Sequence, residues 1–141
     1  MRVMVMVPGN KESEAGVMPD PKLLADMGKF NEELVKAGVM LAGEGLRPTS
    51  HAKKVKFAGS TPTVIDGPFT EAKEIVAGFW IWQVRSMDEA VAWLKKAPFG
   101  GGVEVEIRPI FEMADFGDAM PKDMADSEER MRAKSGLAEK K

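Results

Sequence analysis

Cysteine is absent from the 141-residue sequence, and histidine occurs only once, at His51. The absence of cysteine excludes disulfides, thiolate nucleophiles and zinc–thiolate sites, and it is typical of a protein in a reducing cytoplasm. One histidine cannot form a multi-histidine metal site within a single subunit. We therefore predict a cytoplasmic protein without a bound metal.

Long apolar runs and an excess of basic residues are also missing. The start, "MRVMVMVPG", holds six apolar residues before Pro8, which are too few for a signal peptide or a membrane span. A net charge of −2 argues against a nucleic-acid partner. The "GGG" at 100–102 lacks the continuation of a phosphate-binding loop and precedes a predicted strand. The sequence thus predicts no membrane contact, no nucleic-acid partner and no nucleotide cofactor.

The composition that remains, with 44% hydrophobic and 30% charged residues, is that of an ordinary globular domain. Hydrophobic periodicity and turn residues predict an alternation of strands and helices. The predicted order is a strand at 3–7, a helix from 21 that stops at Gly38, a strand at 39–45, a hairpin at 53–66, a strand at 75–84, a helix from 87 to about 97 and a strand at 101–111. This order predicts an α+β fold, the ferredoxin-like split βαβ arrangement with two helices on one face of an antiparallel sheet.

Both helices begin with a capping signal. In "PDPK", Asp20 is the predicted N-cap and Pro21 the first helical residue. In "SMDEAVAWL", Ser86 and Glu89 have the spacing of a capping box. The two signals predict where the chain leaves the sheet and enters each helix.

The strand at 75–84 is apolar on both of its faces. Trp80 and Trp82 share one side of the strand, whereas Phe79 and Ile81 share the other. The helices cover one side, and the other side needs a second layer, which a second copy of the chain supplies most simply. We therefore predict a homodimer.

Beyond Phe111 the composition changes to mixed charge with few branched aliphatic residues. Glu128 and Arg132 have the i,i+4 spacing of an ion pair on a surface helix. We predict a domain at 1–112 and a charged extension at 113–141, an arm that lies on the domain or on a partner subunit.

The stretch "DGPFTEAKE" (66–74) carries a family resemblance that extends over "GKFNEELVKAGVMLAGEGLRPTS" (28–50), "AGFWIWQVRSMDEAVAWLKKAP" (77–98) and "VEVEIRPIFE" (103–112). The chain resembles the YCII-related proteins, specifically the branch marked by a DGPFAETKE-like motif. It departs from that motif at Thr70, where the family usually has alanine, and at Ala72, where it usually has threonine. The departure removes any role that needs a hydroxyl at position 72.

The resemblance implies a dimeric α+β barrel, in which two ferredoxin-like sheets close face to face and a pocket lies between sheet and loops. Some YCII relatives are lyases or dehalogenase-like enzymes that use a His–Asp pair, and many members of the DGPF branch are encoded beside extracytoplasmic-function sigma factors. The histidine of the enzymatic relatives is expected near the first strand and helix, where this sequence has none. His51 itself is predicted to lie in a solvent-exposed loop.

Two interpretations of Asp66 stay open. Its carboxylate could cap the turn by accepting backbone N–H bonds, with Gly67 supplying the unusual dihedral angle. It could instead face an apolar pocket, where burial would raise its pKa toward that of a general acid or base. The neighbouring Glu71, Lys73 and Glu74 are either an exposed run of compensating charges or a paired network that orients Asp66 or a ligand.

Arginine and aromatic residues complete the candidate binding site. Arg47 follows "GEGL", where glycines let a ligand approach the backbone, and Arg47 and Arg108 are the candidate anion holders. Arg108 could equally form a solvated charge ladder with its strand neighbours. The remaining candidates are Glu44, Phe69, Trp80 and Trp82, the two tryptophans being either pocket walls or core.

These observations favour a homodimer that binds a small molecule without a cofactor, with Asp66 as the proton-transfer residue of a lyase or isomerase. The alternative is a non-catalytic accessory or regulatory protein whose surface, including the arm, engages another protein such as a sigma factor. A weaker third interpretation is a protein that sequesters a ligand without turning it over.

Overall fold

The computed structural model describes residues 1–71 and 74–136. The chain forms two compact units, Met1–Pro109 and Ile110–Lys141. The boundary that composition suggests, between residues 112 and 113, stays a prediction.

The first unit contains two sheets and three helices among its described residues. In chain order these are β1 (Arg2–Pro8), α1 (Lys11–Glu14), α2 (Pro21–Lys36), β2 (Met40–Gly45), a 3-10 turn (Thr49–His51), β3 (Lys53–Lys56), β4 (Thr63–Asp66), β5 (Val76–Gln83), α3 (Met87–Leu94) and β6 (Glu106–Pro109). Four strands form one sheet in the order β2-β5-β1-β6, and β3 pairs with β4 in a separate hairpin. All neighbouring pairs are antiparallel. The predicted ferredoxin-like split βαβ fold is confirmed.

Helix α2 begins and ends as the sequence predicts. The Asp20 carboxylate accepts a hydrogen bond from the backbone N–H of Lys22 at 2.7 Å, and Pro21 occupies the first turn, where its missing N–H costs nothing. The chain leaves the helix through Gly38, whose φ of 71° favours glycine. Phe30 and Leu34 are the buried residues of this helix, so the predicted apolar stripe faces the sheet.

Helix α3 begins with only half of the predicted capping box. The Ser86 hydroxyl accepts a hydrogen bond from the backbone N–H of Glu89 at 3.1 Å. The Glu89 carboxylate accepts instead from the backbone N–H of Arg85 at 2.7 Å. That hydrogen bond, together with the Arg85 guanidinium, holds the pKa of Glu89 below its ordinary value. The helix ends at Leu94, one turn earlier than the sequence predicts.

Both helices pack on one face of the sheet. Strand register places Val3 opposite Trp82 and Val5 opposite Trp80, and these side chains are buried. The buried core consists of Val3, Val5, Phe30, Leu34, Val39, Trp80, Trp82, Val84 and Ala90. The other face of the sheet carries Met4 opposite Ile81 and Met6 opposite Phe79, all half-buried.

Two local predictions were wrong. The segment between β1 and α2, to which the predicted order assigns no element, contains the short helix α1, whose start is fixed by reciprocal hydrogen bonds between Asn10 and Ser13. The last strand is shorter than predicted, since β6 begins at Glu106. Gly101 and Gly102, in the preceding segment, have positive φ angles. Glycine adopts such angles readily, but they are incompatible with an extended strand.

The second unit contains a 3-10 segment (Met113–Ala119) and helix α4 (Lys122–Ser135). Glu128 and Arg132 form the predicted i,i+4 ion pair, at 3.7 Å. Helix α4 ends at Gly136, which has a left-handed φ of 74°. Among the residues that the structure describes, no helix combines the length and apolar character needed to cross a bilayer.

Candidate functional site

A cavity of about 300 Å³ lies on the helix side of the sheet, where β2 and β5 run past α2. Its walls are mostly apolar, with the neighbouring rings of Trp80 and Phe99 and few polar groups. The lining residues are Val7, Pro19, Met27, Asn31, Gly43, Glu44, Gly45, Ala77, Gly78, Phe79, Trp80 and Phe99. A mostly apolar concavity of this size, with a small number of polar groups, is typical of ligand sites, which span ~300–1,000 Å³.

Glycines shape the sheet side of this cavity. A Cβ atom added to Gly43 would lie 2.7 Å from Cδ1 of Trp80, and one added to Gly78 would lie 3.1 Å from the Glu44 carbonyl oxygen. Because real Cβ atoms do not approach other atoms so closely, position 43 needs glycine for the indole to lie against β2. The strand pairing of Gly43 with Trp80 therefore positions the aromatic wall.

The polar groups of the cavity are Asn31 and Glu44. The indole N–H of Trp80 donates to the side-chain oxygen of Asn31 at 2.9 Å. An indole N–H can only donate, so the amide oxygen of Asn31 is fixed toward Trp80 and its NH₂ group is left as a donor on the cavity wall. Glu44 is the one charged residue among the described lining residues. Glu44 pairs with Phe79 in the strand register, so its exposed side chain leaves β2 on the face away from α2. The cavity wall therefore offers a hydrogen-bond donor, with a carboxylate beside it and no cation among the described lining residues.

The DGPF turn lies outside this cavity and is docked on the loop that precedes β3. The backbone N–H of Gly67 donates to the Ala52 carbonyl at 2.9 Å. The backbone N–H of Phe69 donates to the Thr49 hydroxyl at 3.0 Å. A Cβ atom at position 67 would lie 1.8 Å from the Thr49 carbonyl oxygen. Gly67 is therefore required by close approach of two backbone segments.

The same threonine joins the turn to α1. The Thr49 hydroxyl lies 2.5 Å from one carboxylate oxygen of Glu14, and the Thr49 backbone N–H donates to the other oxygen at 3.1 Å. Glu14, Thr49 and Phe69 thus form a chain of hydrogen bonds across three separate segments. Sequence analysis missed Glu14 and Thr49. These two residues are far apart in the chain, and a local sequence pattern does not predict contacts over such a distance.

Asp66 faces solvent in the single chain. Its side chain is 72% exposed, and one carboxylate oxygen pairs with the Lys53 ammonium at 2.5 Å across the hairpin. Asp66 does not line the cavity between α2 and the β2–β5 end of the sheet. The predicted apolar pocket around Asp66 is not formed by the described residues of this chain, and its catalytic role stays a prediction.

The other candidate residues are dispersed. Arg47 is exposed, with a guanidinium nitrogen 3.3 Å from Nε2 of His51, and His51 is exposed as predicted. The Phe69 ring lies 4.1 Å from the Lys54 ammonium in a cation–π contact. Glu71 and Glu74 are exposed. Lys73 lies outside the described residues.

Of the remaining candidates, the structure brings Glu44 and Trp80 together in the cavity. Trp82 is fully buried in the core, so it is not available to a ligand in the chain as described. Arg108 is exposed and lies 3.5 Å from the Glu106 carboxylate, consistent with a solvated charge pair. Neither Arg47 nor Arg108 lines the cavity. In the described ranges, no group of three or more acidic or histidine side chains is placed to hold a metal.

Substitution of Asp66 by asparagine is expected to change stability little. The carboxylate pairs with an exposed lysine, and exposed ion pairs contribute about 0.2–1 kcal/mol. Lys53→Met removes the same pair and is the matched control. Urea melts of both variants should agree within about 0.5 kcal/mol. A loss from Asp66→Asn that exceeds the control by more than about 1 kcal/mol would show that the carboxylate also caps the turn.

Comparison with known proteins assigns the family. The YCII-related domain matches residues 1–114, and the chain belongs to the YCII-related family. An uncharacterised protein of Rhizobium meliloti (strain 1021) is 30% identical over 95 residues, which cover 64% of this chain and 75% of that protein.

A solved structure shares a weaker likeness. It is 5-chloro-2-hydroxyhydroquinone dehydrochlorinase (TftG) from Burkholderia phenoliruptrix AC1100, in complex with 2,5-dihydroxybenzoquinone. The match has 18% sequence identity and a TM-score of 0.40, and it covers 81% of this chain and 98% of the other. Likeness at this level transfers neither a reaction nor a ligand, because one fold hosts many functions.

Proposed function

We propose that the chain binds a small, uncharged and largely apolar molecule with a flat ring in the cavity between α2 and the β2–β5 end of the sheet. The observation that supports this proposal is the wall formed by Trp80, held by Asn31 and seated against Gly43. The indole is already fixed in this position before a ligand binds. Packing a flat ligand against it therefore costs little conformational entropy of the protein.

The polar groups favour an uncharged ligand with at least one oxygen. The NH₂ group of Asn31 can donate to a hydroxyl or carbonyl oxygen of the ligand. The exposed Glu44 carboxylate lies beside the cavity, and it disfavours a ligand carboxylate because no cation accompanies it among the described lining residues. In this proposal the ligand carries no anionic group for Arg47 or Arg108 to hold, because neither arginine lines the cavity.

Turnover is a separate proposal. A lyase or isomerase reaction through Asp66 requires the carboxylate to come within hydrogen-bond reach of a bound molecule, and in the single chain Asp66 faces solvent beside Lys53. Assembly of the proposed homodimer is the means by which Asp66 could gain a less solvated environment. Membership of the DGPF branch is also proposed, on the "DGPFTEAKE" segment (66–74). No contact of the described residues favours the accessory or sigma-factor interpretation, which stays a prediction.

Three single-ring probes of different charge test the binding proposal: benzyl alcohol, benzoate and benzylammonium. Benzyl alcohol is expected to change the tryptophan emission, because Trp80 lines the cavity. Benzoate is expected to bind at least about fivefold more weakly, about 1 kcal/mol, because no cation of the described lining offsets the desolvation of its carboxylate and Glu44 beside the cavity adds repulsion. Titrations followed by fluorescence and by calorimetry measure the three affinities.

Two variants with a matched control assign the effect to the cavity. Glu44→Gln should bring the affinity for benzoate toward that for benzyl alcohol, whereas Glu32→Gln, an exposed position on α2, should leave the ratio unchanged. Asn31→Leu should weaken benzyl alcohol by roughly 5- to 10-fold through the lost hydrogen bond. The proposal fails if none of the probes binds at concentrations up to about 10 mM, or if benzoate binds most tightly.

A further inference from the structure

Glycine occupies two facing positions at one end of the sheet, Gly45 on β2 and Gly78 on β5. Both line the cavity between α2 and the sheet. Glycine has no side chain to pack, and it loses more freedom than other residues when a strand holds it, so a glycine within a strand needs a reason. The usual reasons are a positive φ angle, close contact with another part of the chain, or the close approach of a ligand.

The fold accounts for Gly78 but not for Gly45. A Cβ atom at position 78 would lie 3.1 Å from the Glu44 carbonyl oxygen. A Cβ atom at position 45 would meet no atom of the described residues within 4 Å outside its chain neighbours. Gly45 does not have a positive φ angle, and the pairing continues beyond it, because the Leu46 N–H donates to the Ala77 carbonyl at 2.8 Å. Of the three reasons, the close approach of a ligand is the one that is left for Gly45.

Alternate residues of β5 place a row of side chains on the helix side of the sheet. Trp82 and Trp80 pack in this row with ring centroids 5.6 Å apart. Gly78 takes the next position and places no ring there, and the register puts Val7 beside it on β1. The ring of Phe99, which also lines the cavity, lies 6.1 Å from that of Trp80. The cavity is therefore the place that a third ring on β5 would occupy.

We propose that Gly45 and Gly78 form a floor on which the ring of the ligand lies beside Trp80, and that the missing side chain at position 45 determines which molecules fit. The proposal rests on the proposed function and names the class of ligand, a single planar ring with no substituent on its face. A planar ring can rest directly on the two glycine backbones. A puckered ring needs the space that a Cβ atom at position 45 would take. We expect the ring centroid about 4.5–7 Å from that of Trp80, the range of aromatic pairs.

Gly45→Ala tests the floor, because the new methyl group enters the cavity without touching another described segment of the chain. Alanine restricts the unfolded chain more than glycine does, so the melting temperature should be no lower than that of the wild type. The affinity for benzyl alcohol should fall at least about tenfold, and Gly45→Val should lower it further. Gly28→Ala is the matched control, since it adds the same methyl group at an open position of α2 outside the cavity. Calorimetric titration of this control should give an affinity within about twofold of the wild type.

A pair of probes tests the class of ligand. Benzyl alcohol and cyclohexylmethanol carry the same hydroxymethyl group on rings of six carbon atoms, and the second ring is puckered. The saturated ring is the more hydrophobic of the two, so a purely hydrophobic cavity would bind it more tightly. The wild type is expected to bind benzyl alcohol at least about fivefold more tightly, because the planar ring alone fits the floor and packs against Trp80.

NMR spectra locate the bound ring. When benzyl alcohol is added, the ring current should shift the amide protons of Gly45 and Gly78 and leave that of Gly28 in place. Three results would overturn the proposal: unshifted amide protons at both floor positions, tighter binding of cyclohexylmethanol, or a Gly45→Ala variant that binds benzyl alcohol like the wild type while Asn31→Leu weakens it. The last result would leave the proposed cavity site intact and remove only the floor. Failure of every probe to bind the wild type would instead contradict the proposed function, and the floor with it.

Discussion

Trp82→Arg is expected to unfold the protein. The indole is fully buried, packed against Trp80 at a centroid distance of 5.6 Å and against Phe30 at 6.2 Å. Removing a buried tryptophan costs about 3–5 kcal/mol, and an unpaired buried charge adds several kcal/mol more. The sum is comparable to the whole stability of a domain, about 5–15 kcal/mol. Circular dichroism and gel filtration would show an unfolded or aggregated chain.

Two further substitutions test whether the loss of stability comes from a charge in the core at position 82. The indole N–H of Trp82 has no hydrogen-bond partner among the described residues, so the contribution of this side chain is packing. Trp82→Phe should therefore fold and lose only about 1–3 kcal/mol. Val35→Arg, on an exposed part of α2, should change stability by less than about 0.5 kcal/mol. A cooperative melt of Trp82→Arg close to that of wild type would show that position 82 is not in the core.

Gly67→Ala is expected to detach the DGPF turn. The new methyl group would overlap the Thr49 carbonyl at 1.8 Å and approach the Ala52 carbonyl at 3.2 Å. Both neighbours are backbone atoms, so the clash is relieved only if the turn moves. That movement breaks the hydrogen bonds from Gly67 to Ala52 and from Phe69 to Thr49. We expect a loss of about 2–4 kcal/mol from overpacking and from the two hydrogen bonds.

The chain provides matched glycine controls for this substitution. Gly28 lies within α2 and Gly100 in a loop, and a Cβ atom at either position meets no atom within 4 Å. Gly28→Ala should stabilise the helix by about 0.5–1 kcal/mol, and Gly100→Ala should have little effect. Hydrogen exchange would locate the damage, with loss of protection at the amides of residues 67 and 69 expected only for Gly67→Ala. Unchanged protection there would contradict the close approach.

The fold could be predicted from the sequence because its signals are local. Leu34, four residues after Phe30, follows the helical period, and Asp20 before Pro21 marks a helix start. Strand β5 alternates Trp80 and Trp82 with Phe79 and Ile81, and the register confirms that the two pairs occupy opposite faces. Each of these patterns depends on residues within a few positions of one another, which is the range over which backbone geometry determines periodicity.

The site was predicted less well because its contacts join distant segments. The cavity depends on Gly43 on β2 making room for Trp80 on β5, and on Asn31 of α2 holding the indole. Asp66 attracted attention as part of a long motif, yet the contact that makes the motif necessary is between Gly67 and Thr49. A sequence pattern identifies a motif as constrained, but it does not report whether the constraint comes from chemistry or from close packing.

The position of β1 in the sheet has a consequence for synthesis of the chain. This strand lies between β5 and β6, and Val3 pairs both with Trp82 and with Pro109. On the ribosome, β1 emerges before β5 and β6 and stays unpaired until they have been synthesised. Pairings this distant in sequence are also slow to form and costly in loop entropy. Until residue 109 has left the exit tunnel, the apolar strand "VMVMV" has one unpaired edge. A nascent chain stalled before β6 is therefore expected to engage chaperones, whereas one stalled well beyond it is expected to be already compact.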